Sequence, residues 1–259
     1  MSQPAEAILK VDNLSIAFGG LQVLMNVDFS VYSNEIVSLI GPNGAGKTTV
    51  FNIISGLYRP TSGSILFHSK NLTGMHPHRI SNIGITRTFQ NIRLFKDLTV
   101  LDNVIIAKHF AFCYKLLGSL FYTPAYVEEE AKAEKDALEL LAVFGLAERA
   151  HDISKNLPYG EQRKLEIVRA LASGVKILLL DEPAAGMNNA ETSALLKLIH
   201  HIRDTFKITV LLIEHDMKLV MKISDRIIVL HHGEVIADGT PSQIRNNPHV
   251  VEAYLGNPT

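Results

Sequence analysis

Along this 259-residue chain, four short runs are apolar at almost every position: residues 35–40, 175–180, 208–213 and 226–230. They are rich in Ile, Val and Leu and lack the inside–outside alternation of a half-solvated strand, the pattern of strands covered on both faces. Residues 47–55, 160–172, 190–206 and 217–223 have helical character. Strands alternating with helices predict a mostly parallel α/β sheet.

Two regions depart from this rhythm. The first ~35 residues and residues 63–70 read as shorter strands around turns at Phe18-Gly19-Gly20 and Ser62-Gly63-Ser64, which predicts an antiparallel β layer. From about residue 91 to residue 156 the strand signal vanishes, replaced by an apolar stretch at 104–122 and a charged one at 128–149. Residues 91–159 are therefore expected to form an α-helical subdomain inserted into an α/β core made of residues 1–90 and 160–259. Within it Glu128 and Lys132 stand one turn apart, ahead of Leu138, Leu141 and Phe144, and predict a helix with a solvated face. Thr240-Pro241-Ser242-Gln243 combines an N-cap hydroxyl, proline at the first helical position and glutamine at the third, the start of a short helix. His231-His232-Gly233 reads as a hairpin tip before it reads as a metal or phosphate site.

Composition narrows the partners. With 47% apolar and 20% charged residues the chain is an ordinary globular protein, and a net charge of −1 lacks the basic footprint that nucleic-acid binding needs. Cys113 is the single cysteine, and Met1-Ser2-Gln3-Pro4-Ala5-Glu6 lacks the basic-then-apolar order of a signal peptide, so a cytoplasmic location is expected. Lys108, His109 and Lys115 interrupt the apolar stretch at 104–122. A charge at the bilayer centre costs about 2.5–3.5 kcal/mol, so no transmembrane span is predicted and a membrane role must pass through a partner.

Candidate chemistry gathers where predicted strands end. Gly41-Pro42-Asn43-Gly44-Ala45-Gly46-Lys47-Thr48, followed by Thr49, sits between a buried strand and a helix, the context of a phosphate-binding P-loop. Its backbone N–H groups would face the β- and γ-phosphates of a nucleotide, Lys47 would bridge them, and the Thr48 hydroxyl would ligate Mg²⁺. Asp181-Glu182 closes a second buried strand, where Asp181 would hold Mg²⁺ through water and Glu182 would polarise an attacking water. His215 stands at the end of a third strand, placed to contact the γ-phosphate.

These residues resemble the ABC ATPases over essentially the whole chain. The matching order is the P-loop, Gln90 in Arg87-Thr88-Phe89-Gln90, the signature-like Leu157-Pro158-Tyr159-Gly160-Glu161-Gln162-Arg163, Asp181-Glu182 and His215. The resemblance implies a P-loop NTPase core of RecA-like type, ATP and Mg²⁺ as ligands, and a catalytic role for Lys47, Gln90, Glu182 and His215. It also implies that Gln90 senses Mg²⁺ and that Phe18 stacks on adenine. In that family two subunits dimerise head to tail, so Tyr159, Gly160 and Glu161 would serve an ATP bound to the partner's P-loop.

Within the family the chain is similar to ATPases of branched-chain amino acid importers, through Phe18-Gly19-Gly20-Leu21, the Leu157-Pro158-Tyr159-Gly160 variant, Asp181-Glu182-Pro183-Ala184-Ala185-Gly186-Met187-Asn188 and the tail from Gly239 to Pro248. That likeness implies a second ATPase subunit, integral membrane permeases and, indirectly, an external amino acid binding protein, with the chain at the cytoplasmic face of a bacterial inner membrane. Phe110, Phe112, Tyr114, Phe121 and Tyr122 are candidates for the groove that receives the permease. Two departures stand out. Pro158 replaces the family's signature serine, with Tyr159 and Glu161 also differing, and Asn188 replaces an aspartate. They suggest an asymmetric dimer with a sister ATPase. Rival expectations are a soluble ABC ATPase uncoupled from transport, a nucleotide-gated binding subunit, and a P-loop kinase.

Overall fold

The structure, a computed structural model, describes residues 7–111 and 124–255. Two sheets carry it. Strands β1 (Ala7–Phe18), β2 (Leu21–Tyr32), β4 (Ser62–Phe67) and β5 (Lys70–Asn71) form an antiparallel layer in the order β2-β1-β4-β5. The second sheet has the order β10-β9-β3-β8-β7-β6, built from β3 (Ile36–Ile40), β6 (Ile85–Arg87), β7 (Ile177–Asp181), β8 (Thr209–Ile213), β9 (Arg226–His231) and β10 (Glu234–Gly239). All its pairs are parallel except β9–β10.

The unbroken apolar runs are explained by burial on both faces. In β3, Val37 and Leu39 join the core beneath the antiparallel layer, while Ile36 faces the helical side. In β7, Ile177 and Leu179 face one way and Leu178 and Leu180 the other. Every residue of β3, β7 and β8 is buried, so a polar residue at most of these positions would lose its water without gaining a partner.

Helices follow the strands: α1 (Lys47–Ile54) after β3, α6 (Asn189–Phe206) after β7 and α7 (Met217–Ile223) after β8, with α5 (Tyr159–Ala172) entering β7. The strands and helices expected from the apolar runs are all present, within two residues at their ends. The 91–159 region holds α3 (Val100–Ala111) and α4 (Pro124–Val143), two short 3-10 turns and no strand among its described residues. Lys108 on α3 and Asp136 on α4 pair at 2.7 Å, and Glu128 and Lys132 are exposed as expected. Residues 112–123, and with them Phe112, Tyr114, Phe121 and Tyr122, lie outside the described residues, as does the side chain of Phe110.

The opening strands need correction, and two further elements were not foreseen. The opening strands are not short: β1 and β2 span 12 residues each. Their pairing slips between Val11 and Leu14, and both Asn13 and Asn26 adopt positive φ, so bulges break the alternation that would have betrayed one long strand. The edge strand β6 is three residues long, too short for a periodic signal. Helix α2 (Pro77–Ile83), with one buried residue, also left no apolar stripe to read.

At the carboxyl end, the capping box forms as expected: Thr240 receives the Gln243 N–H and Gln243 returns to the Thr240 backbone, opening α8 (Pro241–Arg245). The final helix, α9 (Pro248–Leu255), contributes Val250 to a cluster with Ile40, Val220, Ile227, Val229 and Ile244.

Candidate active site

The carboxyl ends of β3, β7 and β8 lie side by side, and each carries one of the expected chemical groups on its following turn. After β3 comes the 41–48 loop. Gly41 has φ 152°, and a Cβ there would stand 2.0 Å from the Leu230 carbonyl oxygen; at Gly46, φ 105°, it would stand 2.5 Å from the Leu24 side chain. Neighbouring strands thus press on this loop from β9 and β2. The β9–β10 tip, confirmed as a hairpin turn at His232 and Gly233, ties it further: Gly233 donates its N–H to Ala45 and accepts from Met25. No side chain caps the N-terminus of α1, leaving its first amides as anion donors.

Lys47 is buried, and its ammonium donates to the carbonyls of Gly41 and Pro42 at 2.7 and 2.9 Å. Burial pushes its pKa below the ordinary lysine value, while the Glu182 carboxylate pulls the other way. Asn43, Gly44 and Thr48 are exposed on the mouth of the loop, Thr49 is half-buried, and Phe18 is 44% exposed at the tip of the β1–β2 hairpin. Phe18 meets Tyr58 edge to face, with ring centroids 5.2 Å apart. It is therefore not a buried aromatic of the β layer.

At the end of β7, Glu182 has φ 47°, a left-handed conformation that costs a residue with a side chain about 1–3 kcal/mol unless its surroundings hold it. They do. Its N–H donates to Ile213 and its carbonyl accepts from Arg163. The carboxylate is then met on both oxygens, by Gln90 Nε2 at 2.9 Å and by His215 Nδ1 at 3.3 Å. Gln90, Glu182 and His215 come from three separate segments, and the fold brings them together beside Lys47.

Asp181 is buried and its Oδ2 accepts from Arg87 Nη2 at 2.6 Å; the same guanidinium donates through Nη1 to Asn52 on α1. The donor set of Thr48 hydroxyl, Gln90 amide oxygen and Asp181 carboxylate is all oxygen, the set a hard divalent cation such as Mg²⁺ takes in small number when phosphates supply the remainder. The Gln90 nitrogen is engaged by Glu182, which leaves its amide oxygen as the free acceptor. These residues fit Mg²⁺.

Sequence reading missed three charged residues that build this site. Arg163 is completely buried, and it donates to the carbonyls of Phe89, Asp181 and Glu182 while pairing with Glu166 at 2.6 Å. It therefore joins α5 to both carboxylate positions and to the loop leading into Gln90. Arg87 holds Asp181. Glu214 is buried and accepts from the Ala184 and His215 amides; burial pushes its pKa up, against those two bonds. In the sequence, Arg163 lies between Gln162 and Lys164 and looks like solvated surface, so nothing local announces it.

The signature stretch is different. Pro158 is the N-cap of α5 and supplies no side-chain cap. Tyr159 is 46% exposed, and Glu161 pairs with Arg149 at 3.2 Å. A Cβ at Gly160 would sit in ordinary contact, 3.5 Å from Glu191. A cleft of about 180 Å³ opens here, lined by Pro158, Gly160, Glu161, Met187 and Glu191. Among the described residues, no hydrogen bond or ion pair joins residues 158–161 to residues 41–49. Asn188 accepts from the Ala190 and Glu191 amides, and Glu191 returns to its backbone, a capping box that gives this asparagine a structural task.

The chain is similar to known proteins. The family profile described as ABC transporter matches residues 24–185, and one described as branched-chain amino acid ATP-binding cassette transporter matches residues 234–258. The chain is 49% identical over 256 residues, 99% of both chains, to the high-affinity branched-chain amino acid transport ATP-binding protein LivG of Escherichia coli K12. It is 48% identical over the same span to the corresponding protein BraF of Pseudomonas aeruginosa. Among solved structures, the ADP conformation of MJ1267, an ATP-binding cassette of an ABC transporter, superposes with a TM-score of 0.82 at 31% identity, covering 97% of this chain and 99% of that one. The dimeric post-hydrolysis state of the cassette MJ0796, bound to ADP and Pi, gives 0.74 at 26% identity, over 90% and 98%.

Proposed function

The chain belongs to the family of ABC transporter ATPases, and from that premise we propose that it hydrolyses ATP to drive import of branched-chain amino acids through a separate membrane permease. The observation that carries the chemistry is Glu182. It is held in a strained turn beside the P-loop, with Gln90 and His215 on its two carboxylate oxygens.

In this reading the phosphates lie on the amides of residues 43–48, Lys47 leaves the Gly41 and Pro42 carbonyls to neutralise β- and γ-oxygens, and Phe18 stacks on adenine. Glu182 accepts a proton from the water that attacks the γ-phosphorus in line; the bond to the β-phosphate oxygen breaks, giving ADP and phosphate. Gln90 and His215 hold the Glu182 carboxylate in place, and in its charged form His215 donates through Nε2 toward the γ-phosphate as well. Thr48, Gln90 and Asp181 would hold Mg²⁺, which supplies charge neutralisation at the phosphates.

A partner ATPase, a sister chain in an asymmetric head-to-tail dimer, lays its own signature on this P-loop, while Tyr159, Gly160 and Glu161 serve the partner's ATP. Residues 91–159 act as the helical subdomain that meets the permease, with Phe110, Phe112, Tyr114, Phe121 and Tyr122 as candidates for that contact. The chain would sit at the cytoplasmic face of the inner membrane, with an external binding protein selecting the amino acid. None of the described helices is long and apolar enough to cross a membrane, which fits attachment through the permease.

The test is Mg²⁺-dependent ATP turnover by the chain alone and by the reconstituted complex with its sister ATPase and permeases, with and without loaded binding protein. Turnover is expected to rise in the complex with a branched-chain amino acid, and Glu182→Gln to lower it about a thousandfold with ATP affinity retained. Equal turnover with and without the permeases would refute coupling, and unchanged turnover in Glu182→Gln would remove Glu182 from its role.

A further inference from the structure

Asp181, assigned above to the metal, already has a cation. Arg87 Nη2 lies 2.6 Å from Asp181 Oδ2, and the two side chains are only 5% and 8% exposed. A guanidinium placed purely as structure would satisfy its donors. Here Nη1 is spent on Asn52, but Nε is buried with no hydrogen-bond partner. Phe51 and Phe89 flank the group at 5.5 and 5.2 Å without offering an acceptor. The group is thus incompletely satisfied where it stands, held by the carboxylate charge together with Asn52 and the two aromatic faces.

The surroundings leave it room. A cleft of about 290 Å³ is lined by Arg87, Phe89, Arg93, Glu166 and Arg169 among others. Within it Glu166 already serves Arg163, and Arg93 stacks on Phe89 at 3.9 Å. Arg87 stands at the end of the edge strand β6, three residues before Gln90, where a small shift is cheaper than in the central strands.

We propose that Arg87 is the counter-cation of Asp181 while no divalent metal is bound, a positioning residue that competes with the incoming metal and so sets its affinity. This rests on the assignment of Asp181 to the metal. Two effects share one sign. A fixed positive charge beside the carboxylate repels a divalent cation, and it stabilises the metal-free state by keeping a buried carboxylate paired. Removing Arg87 weakens both obstacles, so the metal binds tighter.

Mn²⁺ is the probe, titrated against the full-length chain in saturating ADP and followed by electron paramagnetic resonance, with metal-free ADP affinity measured in parallel. Arg87→Gln is expected to bind Mn²⁺ three- to tenfold tighter than wild type. Arg87→Lys keeps the charge but cannot fork between Asn52 and Asp181, and it should lie between the two; it also serves if the glutamine variant fails to fold. The metal-free melting temperature should fall in Arg87→Gln and the gain on adding Mn²⁺ and ADP should grow. Equal or weaker Mn²⁺ affinity in both variants overturns the proposal. Wild-type binding that does not depend on Asp181, tested with Asp181→Asn, would instead overturn the assignment on which it rests.

Discussion

The P-loop and the signature stretch both depend on glycine, but for opposite reasons. At Gly41 and Gly46 the demand is internal: positive φ and strand atoms at 2.0 and 2.5 Å leave no room for a Cβ. At Gly160 the chain demands nothing, since a Cβ would meet only Glu191 at an ordinary 3.5 Å. The P-loop half of the site is complete within one chain, with Lys47, Glu182, Gln90 and His215 in mutual contact or close range. The signature half faces outward around an exposed Tyr159. A glycine that its own fold does not need is free to answer to something outside the fold, which in the proposed dimer is the partner's nucleotide.

The largest effect should come from breaking the internal half. Gly41→Ala forces a methyl group into the Leu230 carbonyl, and we expect about 4 kcal/mol loss of unfolding free energy in urea. Gly160→Ala should leave the stability of the isolated chain unchanged within about 1 kcal/mol, alanine being the better helix former, while lowering turnover of the assembled transporter. A comparable stability loss at both positions would erase the distinction.

Next comes the bridge between the halves. Arg163→Met takes from Glu166 its ion pair and from the carbonyls of Asp181 and Glu182 a donor, so a loss of about 3 kcal/mol is expected from chemical denaturation. Retained stability would show that α5 does not need this anchor to hold Glu182 in its turn.

The smallest effect sharpens the outer half. Pro158→Ser supplies the hydroxyl that this signature lacks, and one hydrogen bond to a charged group is worth about 1.5–3 kcal/mol. ATP-driven association with the sister subunit should tighten about tenfold, read by light scattering. An unchanged affinity would mean that the proline is compensated by other contacts.

The same division governs how much could be read beforehand. Local spacing announces the P-loop, because a strand, a glycine-rich turn and Lys47-Thr48 are contiguous, and it announces Asp181-Glu182 because a buried run ends in two carboxylates. The ion pair between Arg87 and Asp181 spans 94 positions, and the contacts of Arg163 join α5 to two other segments; neither is written in any one stretch. Near-continuous runs of buried Ile, Val and Leu in β3 and β7 made the central sheet legible. Bulges at Asn13 and Asn26 concealed the length of β1 and β2 by breaking their alternation.

Whether the signature acts on a partner's ATP is decided by association of the Glu182→Gln chain with its sister ATPase. Sedimentation velocity should show association only in ATP, abolished by adding Gly160→Asp, with the ATP affinity of the isolated chain unchanged within about twofold. Loss of ATP binding by the isolated Gly160→Asp chain, or association indifferent to ATP, would contradict it.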